Sequence, residues 1–193
     1  QAIATARRLG AIVEAFDVRA AAGEQVESLG AKFIQPPAAE DAEGAGGYAR
    51  AQTEDEQAAQ REFLKGHIAD ADAVITTAAI PGRPAPLLMT EDMVAVMKPG
   101  SIVIDLAAES GGNVAGTVAG EIINKNGVMI NGPINVPSSM PFHASLLYSR
   151  NVMALLDLII DRKEGTLTLD FEDEVIDTMC VAHEGEARHG LGE

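Results

Sequence analysis

Asp17 closes a short apolar run, IVEAFDV at residues 12–18, and is followed by Arg19. At the end of the second strand of a βαβ unit, an acidic side chain in this place accepts hydrogen bonds from an adenosine ribose, roughly 20 residues after a glycine-rich turn. That pattern points to NAD rather than NADP, because a carboxylate repels a 2′-phosphate. An acid that merely ends a strand at the surface is the equally open alternative. Three further stretches place small residues directly after apolar runs: TTAAIPGRPAP at 76–86, AAESGGN at 107–113 and NGPINVP at 131–137. Such loops at the carboxyl ends of parallel strands let backbone approach a ligand closely. Glu109 is the only carboxylate of the second loop and stands next to Gly111 and Gly112. It is a candidate for orienting a nicotinamide ribose or a substrate, and a solvated loop acid otherwise.

Gly46-Gly47-Tyr48-Ala49 joins an aromatic ring to two possible hinges within a polar, acidic surround. Residues 46–60 therefore read as a lid that closes on a cofactor, with a plain linker as the alternative. His67, His143, His183 and His189 have neither metal-ligand spacing nor a neighbouring nucleophile, so no metal and no nucleophile is expected.

The elements that must position these residues alternate. Residues 1–9 carry a helical pattern ended by Gly10; 12–18 is strand-like, 24–29 helical and 32–34 strand-like. Residues 35–53 read as a long loop, 54–71 as a helix, 73–78 as a strand, 90–99 as a capped helix, and 101–106 (SIVIDL) as a strand buried on both faces. Asn126-Gly127 between apolar runs signals a hairpin, and 142–163 gives the longest helical pattern. The tail TLTLDFEDEVIDTMCVAHEGEA reads as an antiparallel pair around an acidic turn. Alternation of this kind specifies an α/β fold, a Rossmann-type doubly wound parallel sheet. Its expected division is a nucleotide-binding domain at 1–140 and a long helix with short returning strands at 141–193. Gln1 stands inside a helical pattern without a start signal, so the first strand and its glycine turn are expected upstream.

The 193 residues suffice for one sizeable domain and a piece of another. A formal charge of −15 disfavours nucleic acid and anionic lipid as partners. No run approaches the roughly 20 apolar residues of a membrane span, and the single Cys180 suits a reducing cytoplasm.

QAIATARRLGA, EAFDVR, VESLGAKF, GGYA, ITTAAIPGRPAP, MKPGSIVIDLAAESGGN and NVPSSMP, in this order and spacing, resemble the NAD(H)-binding subunit of proton-translocating NAD(P) transhydrogenase, whose fold is shared with alanine dehydrogenase. The resemblance implies direct hydride transfer between NADH and NADP+, with NADP(H) on a partner domain. It also implies a homodimer docked on a membrane-embedded partner at the cytoplasmic face of a bacterial inner membrane. It assigns Asp17, Val18 and Arg19 to the adenosine end, Gly47 and Tyr48 to a mobile loop, and Gln60 to that loop's end. Thr77, Ala78 and Ala79 are assigned to the cofactor wall and Glu109 to the place where alanine dehydrogenases carry a catalytic aspartate. Gln52 departs from a methionine common in that loop. Alanine dehydrogenase is the first rival, opposed by Ser110 and the long tail, and a non-catalytic nucleotide-binding module is the second.

Overall fold

The computed structural model describes residues 1–36, 53–80 and 82–188. Two compact units divide the chain, Gln1–Ile134 and Asn135–Glu193.

In the first unit, helix α1 (Ala2–Arg8) leads into strand β1 (Glu14–Ala15), helix α2 (Ala22–Ser28) and strand β2 (Lys32–Phe33). β1 and β2 pair in parallel as a sheet of their own. The expected strand at 12–18 is thus reduced to its middle, Glu14–Ala15, which among the described residues pairs with β2 alone. Helix α3 (Glu54–Asp70) follows. Thr53 accepts from the Glu56 N–H while the Glu56 carboxylate accepts from the Thr53 N–H, a reciprocal cap that satisfies two of the donors a helix start leaves unpaired. Leu64 and Ile68, four residues apart and so on one face, are buried.

Strand β3 (Ala73–Thr76), helix α4 (Glu91–Ala95), strand β4 (Ile102–Asp105), strand β5 (Ile122–Lys125) and strand β6 (Val128–Asn131) complete the unit. They form a sheet of order β3-β4-β6-β5, with β3, β4 and β6 parallel. β5 runs antiparallel to β6 through the Asn126-Gly127 turn, whose φ values of 53° and 87° explain why those two residue types stand there. This is the α/β, parallel-dominated architecture that the alternation of elements leads one to expect. The expectation that β4 is buried on both faces is met on one. Val103 and Asp105 are fully buried beside Ile130, whereas Ile75 and Met129 on the opposite face are 50% and 41% exposed. One core joins both sheets under α3 and α4: Ile34, Leu64, Ile68, Met89, Met93, Val103, Val128 and Ile130 belong to it, with Phe16 and Val74 packed against them.

The second unit holds helix α5 (Val136–Ser139), helix α6 (Pro141–Ile159), strands β7 (Ile160–Asp161) and β8 (Thr166–Leu167), helix α7 (Glu174–Met179), and strands β9 (Ala182–His183) and β10 (Glu186–Ala187). The tail is therefore not one antiparallel pair around an acidic turn. Asp173 accepts from the N–H groups of Val175 and Ile176 and so starts a helix in the acidic segment, with a separate hairpin on either side. Among the described residues no helix is long and apolar enough to cross a membrane.

Candidate nucleotide site

The carboxyl ends of β3, β4 and β6 lead into the three small-residue loops, and a buried polar frame braces the first two of them. Asp105, the last residue of β4, is 0% exposed. One of its oxygens accepts from the Thr76 hydroxyl at 3.2 Å and the Ala107 N–H at 3.1 Å. The other accepts from the N–H groups of Asn113 (2.8 Å) and Val114 (3.1 Å) and from the Thr117 hydroxyl (2.8 Å). Thr76 lies directly opposite Asp105 in the ladder, so the period-2 alternation of both strands delivers the two side chains to one buried face. Gly112 has φ +82°, and a Cβ there would stand 2.9 Å from an Asp105 carboxylate oxygen. Only glycine lets the chain fold back onto the carboxylate.

Asn113, also 0% exposed, carries the frame to the first loop. Its carbonyl accepts from Leu88 N–H and Met89 N–H at 2.8 and 2.9 Å, and its carboxamide bonds the main chain of Ala78 and Pro86. The third loop closes on the second at Gly132, where a Cβ would stand 2.7 Å from the Val118 carbonyl oxygen and 3.1 Å from the Ala108 methyl. Gly112 and Gly132 are thus required by close packing. Glu109 lies exposed on a one-turn 3-10 helix, Ala108–Ser110, between these anchors. Thr77 and Ala79 are exposed and Ala78 is half-buried.

Asp17 stands two residues beyond β1. Its carboxylate accepts from Arg19 three times, from the main-chain N–H at 2.9 Å, from Nε at 2.9 Å and from Nη2 at 2.8 Å. Burial alone would raise the Asp17 carboxyl, but the Arg19 hydrogen bonds and charge outweigh it and hold it below the usual aspartate value. A depressed native value means that the pair contributes stability above the unfolded-state pKa of about 4 and loses it as pH falls through the lower native one. The stability difference between the unsubstituted protein and Asp17→Asn should therefore shrink on acidification from pH 7 into that range. Urea unfolding at both ends measures it, and a difference constant with pH would show that the pair contributes nothing. Val18 is half-buried beside this pair.

The frame brings Thr77, Ala78, Ala79 and the Glu109 turn together. No hydrogen bond among the described residues joins Asp17, Val18 or Arg19 to these loops directly. Gly47 and Tyr48 lie outside the described residues. Gln60 is buried within α3, seven residues past the Thr53 cap, so the stretch from Glu54 onward is helix and only the part before Thr53 remains as a candidate lid. The residues missed from sequence are Asp105 and Asn113; the one available signal was an aspartate in the otherwise apolar SIVIDL. His67 is taken up by Glu14 (Nδ1 to Oε2, 2.6 Å) and the Phe63 ring, and His183 packs on Phe171. Among the described residues no group of His, Cys, Asp or Glu is arranged to hold a metal. A shallow depression of about 200 Å³ between α3 and α4, lined by Arg61, Lys65 and Asp92, lies away from the strand ends and is crossed by the Lys65–Asp92 ion pair.

Residues 1–190 match the family model described as alanine dehydrogenase/PNT, C-terminal domain. An NAD(P) transhydrogenase subunit alpha chain of Rhodospirillum rubrum is 49% identical over 191 residues, covering 98% of this chain and 50% of that protein. Alanine dehydrogenase 1 of Staphylococcus aureus is 32% identical over 130 residues, 65% of this chain and 34% of that one. The crystal structure of transhydrogenase from Sinorhizobium meliloti is 47% identical and superposes with a TM-score of 0.71 over 91% of this chain and 45% of that one. The chain thus spans about half the length of these transhydrogenase relatives.

Proposed function

The chain belongs to the alanine dehydrogenase/PNT C-terminal domain family, and on that premise we propose that it is the NAD(H)-binding part of an NAD(P) transhydrogenase. The observation that carries this reading is the braced strand-end frame: the small-residue loops after β3 and β4 tied together through Asp105 and Asn113, with an exposed carboxylate, Glu109, on the second of them. The greater identity and coverage toward the transhydrogenase subunit favour it over an alanine-deaminating enzyme.

The residues suit a dinucleotide. Asp17 keeps acceptor capacity beyond its three bonds to Arg19, since a carboxylate offers about four lone-pair sites. The loop glycines and alanines leave the backbone open to close approach. When bound, the cofactor supplies the hydride. The chain's own contribution is placement: Asp17, Val18 and Arg19 hold the adenosine end, Thr77 and Ala79 form the wall, and Glu109 orients the nicotinamide end. Gly47 and Tyr48 close over the site, and Gln60 anchors the helix behind that lid. Exposed apolar side chains on α6, Phe142 and Leu147 among them, serve as a docking face toward the rest of the subunit. NADP(H) sits on a partner domain, and the subunit is a homodimer peripheral to a membrane domain on the cytoplasmic side.

NADH titration of the intact protein, followed by hydride transfer to NADP+ in the reconstituted complex, tests the reading. Binding of NADH in preference to NADPH is expected, and absence of NADH binding overturns it. Glu109→Gln should lower the transfer rate about tenfold or more, on the order of the 1.4 kcal/mol a misaligned charged group costs. The urea midpoint should stay unchanged, because Glu109 is exposed on its turn. An unaltered rate would return Glu109 to a solvated loop acid.

A further inference from the structure

We propose that Asn113 is a positioning residue, whose carboxamide accepts from the Ala78 N–H and donates to the Ala78 carbonyl and so sets where Thr77, Ala79 and the Glu109 turn stand. The role rests on the reading of these loops as the NAD(H) site.

Along β3 and β4 the parallel ladder runs regularly up to the bond from Leu106 N–H to the Thr76 carbonyl, 2.9 Å. The next donor on the β3 side is Ala78 N–H, which in a continued ladder would turn to β4. It donates instead to the Asn113 carboxamide oxygen at 3.0 Å. The Asn113 amide nitrogen donates back to the Ala78 carbonyl at 2.9 Å and to the Pro86 carbonyl at 2.8 Å, which uses both of its hydrogens. A side chain thus takes the place of a strand at the point where β3 and β4 part.

Every polar group of Asn113 is engaged by the frame. Its N–H is held by Asp105, its carbonyl by Leu88 and Met89, and its side chain by Ala78 and Pro86. Because the residue is fully buried, none of these bonds can be exchanged for water at low cost. The loop after β3 and the loop after β4, which carries Glu109, therefore share one rigid link. A consequence follows for Ala78: with its main-chain N–H held, it offers a ligand no backbone donor, and the donor contacts of that wall fall to its exposed neighbours.

Asn113→Ala tests this in the intact protein, at a temperature where circular dichroism shows the variant folded. The expected result is a Kd for NADH raised about tenfold together with a maximal hydride-transfer rate lowered about tenfold. Asn113→Asp keeps the acceptor for Ala78 N–H but sets oxygen against two carbonyls, and should fall in the same direction. A variant with a lowered melting temperature but unaltered Kd and rate overturns the proposal and leaves Asn113 a brace. Should neither variant fold, amide hydrogen exchange of the unsubstituted protein decides. Ala78 N–H and the Asn113 side-chain protons should be as protected as β3 without NADH, and NADH should shift the Thr77 and Ala79 amides. A freely exchanging Ala78 amide, or unmoved Thr77 and Ala79 signals while NADH binds, overturns it. A protein that binds no NADH overturns the parent reading and the role with it; a still-protected Ala78 amide distinguishes that case from failure of the bridge.

Discussion

Replacing Asp105 by alanine is expected to lower the unfolding free energy by about 3–5 kcal/mol, the range for breaking a buried polar network. Three main-chain N–H groups, of Ala107, Asn113 and Val114, lose their acceptor, as do the hydroxyls of Thr76 and Thr117. Buried unsatisfied donors cost about 1–3 kcal/mol each, and partial relaxation keeps the total below their sum. Against a typical stability of about 5–15 kcal/mol this is a large share. Asp105→Asn separates acceptor loss from cavity formation. Its oxygen can serve one side of the network, but its NH2 must then face donors on the other, so a smaller loss is expected. Urea unfolding gives both values. An alanine variant within about 1 kcal/mol of the unsubstituted protein would show that water or a shifted backbone replaces the carboxylate at little cost.

How much of this was legible depends on the range of the interaction. The hairpin at Asn126-Gly127 is decided by adjacent residues and reads directly from the letters, whereas Thr53, read there as the end of a loop, is a cap through Glu56 three positions on. The order of helices and strands follows from apolar spacing, which puts Thr76 and Asp105 within the strands expected at 73–78 and 101–106; that both stand at strand ends is seen only in the structure. Nothing in the spacing shows that Asn113 returns to Ala78, 35 positions earlier, because that closure depends on how far β3 and β4 run before they part. The tail misled for a local reason. EVIDTM has no clean period of its own, and the Asp173 cap, rather than side-chain alternation, decides for a helix. Gln60 marks a third limit: the resemblance assigns it to the end of a loop, while the helix that begins at Glu54 places it at a buried position within α3, which the loop reading of the letters does not show.

The Asp17-Arg19 pair changes what a substitution at Asp17 should do. From sequence alone, Asp17→Ala would be expected to weaken NADH, by loss of the ribose acceptor, and to relieve the repulsion of a 2′-phosphate. In the structure the same carboxylate also holds the Arg19 side chain through Nε and Nη2. Asp17→Ala removes a negative charge from the place a 2′-phosphate would occupy and leaves the Arg19 guanidinium without this carboxylate beside it. Both changes favour NADPH, since a guanidinium forms charge-assisted, bidentate bonds to phosphate. Weaker NADH binding and stronger NADPH binding should together reduce the preference for NADH about ten- to a hundredfold, equivalent to about 1.4–2.8 kcal/mol. Fluorescence titration of the intact protein with each cofactor measures the ratio. The double variant Asp17→Ala/Arg19→Ala isolates the cause: NADH should remain weak, while the gain toward NADPH disappears. If Asp17→Ala left the ratio of the two affinities unchanged, the carboxylate would not face the ribose 2′ position, and its role would reduce to holding Arg19 at the end of β1.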